Sequence, residues 1–177
     1  RAQRYTISPA LSSTVGDQLR LSQTLRFTGV HYEVGNTDSY PSDTDRGMVS
    51  YTAGLSAAAF RRYGAYTHSI DPEVRLVYST DSDYKAPKLD ALEYLGERSA
   101  AEMVLTNSLL DARGTVVAFK LTQPYNLRAD DRPWEPLRAD LFLNTPLFAR
   151  FEASYDFYER GLATMNGETG VRLSMMT

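Results

Sequence analysis

The sequence predicts an all-β protein, a run of antiparallel transmembrane β-barrel strands forming part of a larger barrel. Three observations carry that prediction. Apolar and polar residues alternate with a period of two over long stretches, which puts them on opposite faces of a strand. The polar side carries charges, so it suits a solvated lumen rather than a dry core, while the apolar side suits lipid. Turn-forming Gly, Asn, Asp and Pro separate the stretches at spacings that make hairpins.

Composition narrows the alternatives. The 177 residues suffice for one domain, 1–177, with a formal net charge of -3 from 22 acidic and 19 basic residues. That balance argues against a general nucleic-acid binder, which needs a basic face. No cysteine is present, which removes thiolate metal sites, disulfides and thiol nucleophiles. No apolar segment reaches the roughly 20 residues of a spanning helix, but a spanning strand needs only about 9–11. The chain opens at Arg1 and ends in mid-pattern at Met175, Met176 and Thr177, so a longer precursor is expected.

Taken in order, Tyr5, Ile7, Pro9 and Leu11 share one face. After a turn at Val15-Gly16-Asp17, Leu19, Leu21, Leu25 and Phe27 share another. A polar connection over 33–47, rich in acid, should be an extracellular-type loop. Val49, Tyr51, Ala53, Leu55, Ala57 and Ala59 then oppose Ser50, Thr52, Gly54, Ser56 and Ala58. Ile70, Pro72, Val74, Leu76 and Tyr78 oppose Asp71, Glu73, Arg75 and Val77; Pro72 lacks a donor and belongs at a strand end, a bulge or an exposed edge. The long connection 81–100 could hold a short helix over 87–95, opened by Pro87.

Met103, Leu105 and Leu109 share a face interrupted by Asn107, and the Asp111-Ala112-Arg113-Gly114 loop leads to Val117, Phe119 and Leu121. The charged connection 126–136 brings Trp134 to an interface. Leu137, Ala139, Leu141 and Leu143 form a hairpin with Leu147–Phe157 through Asn144-Thr145-Pro146. In the second of these strands Leu147, Ala149, Phe151, Ala153, Tyr155 and Phe157 oppose Phe148, Arg150, Glu152, Ser154, Asp156 and Tyr158. Val171, Leu173 and Met175 begin a last strand, and Gly161, Gly167 and Gly170 mark turns. The pattern gives roughly nine strands, several longer than the usual 5–6 residues. Twelve tyrosines, many near strand ends, fit an interfacial girdle.

The polar face supplies the candidate functional residues: Arg75, Lys120, Arg138, Asp140, Arg150, Glu152 and Asp156 as lumen-facing or plug-contacting groups. A polar wall needs no substrate to explain it, so these are structural expectations first. The pairs Asp71/Glu73 and Asp130/Asp131 read as solvated faces or turns rather than acid–base machinery. Glu33, Asp43 and Asp45 could hold a divalent cation, but without EF-hand spacing. His31 and His68 read as rim or lumen residues, and Arg61-Arg62 as a solvated pair or a contact for anionic head groups. No catalytic residue, cofactor or metal is expected.

The segment His68-Ser-Ile-Asp-Pro-Glu-Val-Arg-Leu-Val-Tyr78 resembles the barrel of the LptD family of lipopolysaccharide-assembly proteins, also called the organic-solvent-tolerance family. Leu89-Asp90, Glu97-Arg98-Ser99-Ala100-Ala101-Glu102, the strand from Val104 to Leu110, the Gly114 turn, Gln123-Pro124-Tyr125, Pro136-Leu137 and Tyr155-Asp156 follow in the same order. The resemblance covers 48–176. Two departures stand out: a Gly-Leu-Asp-Arg element is reduced to Gly96-Glu97-Arg98, and the family's common cysteines are absent.

The resemblance implies an outer-membrane barrel that inserts lipopolysaccharide into the outer leaflet without making or breaking a bond. Its partners would be lipopolysaccharide, an LptE-like plug lipoprotein, the periplasmic bridge proteins and outer-membrane lipid, with no nucleic acid. So few strands would form only part of that barrel's wall. Two other readings stay open: another outer-membrane porin or transporter, and a soluble all-β binding module in which the apolar face of Leu147–Phe157 packs inward.

Overall fold

The computed structural model describes residues 2–34, 43–80 and 97–171. They form one antiparallel sheet of eleven segments: β1 Ala2–Ile7, β2 Ala10–Val15, β3 Leu19–Val34, β4 Asp43–Ala57, β5 Ala59–Tyr63, β6 Tyr66–Ser79, β7 Arg98–Asp111, β8 Gly114–Asn126, β9 Leu137–Asn144, β10 Leu147–Asp156 and β11 Gly161–Val171. Their order is β1-β3-β4-β6-β7-β8-β9-β10-β11, with β2 also on β3 and β5 also on β6. The two ends of that order do not pair, so the sheet is open rather than a closed barrel.

Two pairs of segments are each one strand interrupted by a proline, which reconciles eleven segments with about nine expected strands. Ile7 faces Gly29 and Ala10 faces Arg26, so the register is unchanged across Ser8-Pro9. Ser56 faces Glu73 and Ala59 faces Ile70, so it is equally unchanged where Ala57 stands opposite Pro72. Pro72 therefore sits inside β6, neither at a strand end nor at a bulge. It is tolerated because the missing N–H removes one bond toward Ala57 while β7 pairs continuously on the other side. Pro9 repeats the arrangement; its carbonyl accepts the Phe27 N–H at 3.1 Å, but it returns no donor.

Other expectations are corrected. The last described strand, Gly161–Val171, begins ten residues before the alternation around Val171 suggested, and Gly167 and Gly170 lie inside it rather than in turns. Gly167 fits there because Phe151 of β10 lies across it: a Cβ would stand 2.8 Å from the ring. The connection placed at 33–47 is shorter, since β3 runs to Val34 and β4 begins at Asp43. Residues 35–42, the helix expected over 87–95, and Leu173 and Met175 lie outside the described residues.

The turns expected at Val15-Gly16-Asp17, Asp111–Gly114 and Asn144–Pro146 are present. Gly16 has φ +93°, and a Cβ would run into the Leu19 carbonyl oxygen. Gly16→Ala should therefore cost about 1–3 kcal/mol, read as a lower urea midpoint with unchanged slope. Strand direction alternates, so the turns 16–18, 64–65, 112–113 and 145–146 all leave from one end of the sheet. The longer connections after β3, β6 and β8 all leave from the other.

The register segregates chemistry strictly. Rows such as Leu11–Leu25–Tyr51–Tyr78 and Phe119–Leu141–Phe151 lie on one face, and rows such as Lys120–Asp140–Glu152 on the other. Of the exposed large apolar side chains described within strands, all but Phe60 lie on the first face. Between Arg61 at the short-turn end and His31 with Asp45 at the other, that face carries no charged side chain among the described residues. Among the described residues no second layer covers it: Ala149 is its one buried apolar residue, while Leu147 is 51% and Phe151 38% exposed.

The apolar face is also oblique to the strands. Tyr155 is level, through Leu137, Gln123, Met103, Val74, Leu55 and Leu21, with Val15. The outermost aromatic on that first strand is Tyr5, about ten residues or roughly 33 Å further along, reached over about seven strand spacings of ~4.8 Å. The opposite margin steps the same way, from Leu19 on β3 to Leu147 on β10. The band thus crosses the strands at about 35–45°, the tilt of strands in membrane barrels.

Candidate functional site

The polar face is where side chains can meet a solute or a partner. Its best-built part is a chain of alternating charges at the long-connection end. Arg75 of β6 faces Glu102 of β7 across the ladder, with Nε 3.3 Å from the carboxylate and 3.8 Å from Glu73. Glu102 also holds Arg98 at 3.1 Å; Arg98 reaches Glu135 at 3.2 Å, and Glu135 approaches Arg138 at 3.9 Å. Half-exposed pairs are singly worth about 0–1 kcal/mol. Glu102 is the least exposed member, at 14%, and serves two arginines, so the network turns on it. Gly54 leaves the space into which Glu73 leans: a Cβ there would stand 2.8 Å from its carboxylate.

Glu135 enters this chain because the connection 127–136 folds back along β8. The Asn126 N–H donates to Pro133 O (2.7 Å) and the Glu135 N–H to Pro124 O (3.1 Å), while Gln123 Nε2 donates to Glu135 O (2.8 Å). Trp134 packs edge-on against Tyr125 with centroids 4.9 Å apart, and its main-chain N–H donates to the Tyr158 hydroxyl. Arg132 pairs with Glu159 at 2.7 Å. The connection thus continues the ladder above the point where β9 begins. Pro124, fully buried, has its missing donor on that side and not toward β7.

A second group lies lower on the polar face. Lys120 stands opposite Asp140, and Asp140 opposite Glu152. Arg150 pairs with Glu152 at 2.5 Å and stands opposite Glu168; these three line an open depression with Asn166 and Gly167. Lys120 makes no ion pair among the described residues. On β1–β4 the face changes character, with hydroxyl pairs Ser8–Thr28 (3.0 Å) and Ser12–Thr24 (3.1 Å) beside Arg20 and Arg26.

The expected residues Arg75, Lys120, Arg138, Asp140, Arg150 and Glu152 therefore share one face, in two groups. Asp156 is used differently: its carboxylate accepts the Tyr158 and Glu159 N–H groups at 2.8 and 3.1 Å, fixing the turn after β10. Arg98 and Glu102 were not singled out, though they alternate in phase with Thr106. Glu135 sits in an aperiodic connection and carried no signal.

His68 is not part of the charged wall; it stands opposite Arg61, at the short-turn margin. It lies on the apolar face, where its Nε2 is 2.9 Å from Asn107 Oδ1, so these two polar groups satisfy each other. His31 stands at the far margin, 2.7 Å from Asp45 and 3.9 Å from Glu33. Two of the three carboxylates considered for a cation thus face an imidazole, and the third, on Asp43, lies outside the described side chains. Among the described residues no group of three or more His, Asp or Glu is arranged to hold a metal. Asp71 accepts the Ser69 hydroxyl, and Asp130 and Asp131 are exposed in the connection.

These features define an open, single-layer antiparallel sheet with one apolar and one charged face. No protein-family model matches the chain, and no curated protein matches it.

Proposed function

We propose that the chain forms part of the wall of an outer-membrane β-barrel and that this barrel inserts lipopolysaccharide into the outer leaflet. The observation that carries the membrane half is the oblique, charge-free apolar band, which has no second layer over it among the described residues. Short turns at one end and longer connections at the other agree with it. A soluble module would bury that face, and here its leucines and aromatics stand open. In a bilayer the edges at β1/β2 and β11 must be paired, so the sheet works within a closed barrel. Support for the lipopolysaccharide half is the ordered resemblance over 48–176.

In this reading the charged face lines the lumen. Arg75, Arg98, Glu102, Glu135 and Arg138 then form a fixed polar surface at the extracellular end, suited to a plug protein, with Lys120, Asp140, Arg150 and Glu152 below it. The mixed charge of that wall also suits a diffusion channel, which is the second reading.

The test replaces Lys120 by a photo-crosslinking residue in cells. Capture of lipopolysaccharide or of a lipoprotein is the expected result. Capture of neither, with ion conductance in planar bilayers, would leave the channel. A chain that is monodisperse and cooperatively folded without detergent would sink both.

A further inference from the structure

The short-turn end of the sheet carries a feature that the wall does not require. β5 pairs with β6 only, because β3 starts at Leu19, level with Ala57, and the turn before it reaches no further than Ala58. The Ala58 N–H donates to Gln18 O at 3.4 Å, so even-numbered residues here point their main chain away from β6. The N–H and C=O of Phe60 and Arg62 therefore face outward along a free edge and find no main-chain partner among the described residues.

The side chains on this edge are equally unusual. Among the described residues Phe60 is the one exposed large apolar strand residue on the polar face, at 78%. Arg61 stacks over Tyr63 at 5.3 Å, and Arg62 Nε donates to Gly64 O. Neither arginine meets a carboxylate among the described residues, and the stretch Ala59–Tyr66 contains no acidic residue. Elsewhere on the sheet the arginines of β6, β7 and β10 are all ion-paired.

We infer that the β5 edge is a docking site for an extended acidic segment of a partner protein, which adds to the sheet as a further strand. Two outward N–H/C=O pairs supply the ladder. Phe60 and Arg62, two residues apart on one face, select an apolar and an acidic side chain in alternation, and Arg61 selects an acidic one on the other face. The same arginines repel a second β5, so the edge stays open to a complementary strand while resisting self-association. Lipid head groups would satisfy the guanidinium groups but not the outward main-chain pairs, which favours a protein strand. The inference rests on the sheet alone and holds whatever the barrel carries.

The test uses the full chain in neutral detergent micelles and a short blocked peptide of repeated Glu-Glu-Val, which sets glutamates opposite Arg61 and Arg62 and a valine opposite Phe60. Hydrogen exchange at the Phe60 and Arg62 amides should slow by about tenfold or more, with Ala59, Arg61 and Tyr63 unchanged because they already bond β6. Arg62→Pro should abolish peptide binding and keep the fold, since the lost N–H points away from β6. No slowing at saturating peptide overturns the inference. So does equal slowing by the lysine counterpart, or slowing by phosphatidylglycerol vesicles without peptide.

Discussion

Leu105→Arg should weaken folding of the closed barrel into a phosphatidylcholine bilayer by about 2–4 kcal/mol, whereas Ser108→Arg should cost less than about 1 kcal/mol. The two positions lie three residues apart on β7 and differ in face. Leu105 stands between Pro72 and Leu121 in the middle of the apolar band, 39% exposed. Ser108 stands between Ser69 and Ala118 on the charged face. A guanidinium at 105 has no water and no carboxylate within reach across the band; at 108 it reaches the solvated side. Urea titration of refolding into vesicles reads the difference. Equal, small costs at both positions would mean that the apolar face does not meet lipid.

Glu102→Gln is the second large effect. It leaves the Arg75 and Arg98 guanidinium groups facing a neutral amide in a half-buried place, where Arg75 Nε already has no hydrogen-bond acceptor among the described residues. The expected loss is about 1–2 kcal/mol, below the full cost of breaking a buried pair because both arginines keep access to water. A double-mutant cycle with Arg75→Met should return a coupling of about 0.5–1.5 kcal/mol. A coupling near zero would show that the chain of charges is a string of independent surface pairs. Releasing Glu135 as well should make the 127–136 connection more susceptible to protease, since the Arg98–Glu135 pair is one of its ties to the sheet.

Much of this sheet is legible in the sequence, because a period of two is a direct imprint of the pleat. Leu147–Asp156, Leu137–Asn144 and the three hairpin turns were placed almost to the residue. Legibility failed where the imprint is absent. β11 reads GLATMNGETGV, with glycine at 167 where its neighbours carry side chains; Phe151 fills that gap from the next strand, and periodicity cannot see a side chain on another strand. β3 and β4 run past the apolar band into Glu33, Asp45 and Asp43, so their ends looked like loop. Pro72 was misplaced because one missing donor was weighed without the register on its other side. In the candidate site the wall residues followed from parity, but Glu135 depends on how an aperiodic connection folds.

The two proline interruptions have a mechanical meaning. Sliding one strand past another by a single position would carry every leucine of β3 or β6 to the wet side, and the ladders on both sides of each seam forbid it. Bending needs no such slide. At Ser8-Pro9 and at Ala57 opposite Pro72 the sheet has lost a tie without losing its alignment, so it can crease there and return to the same pairing. These are expansion joints in a wall whose bricks cannot shift.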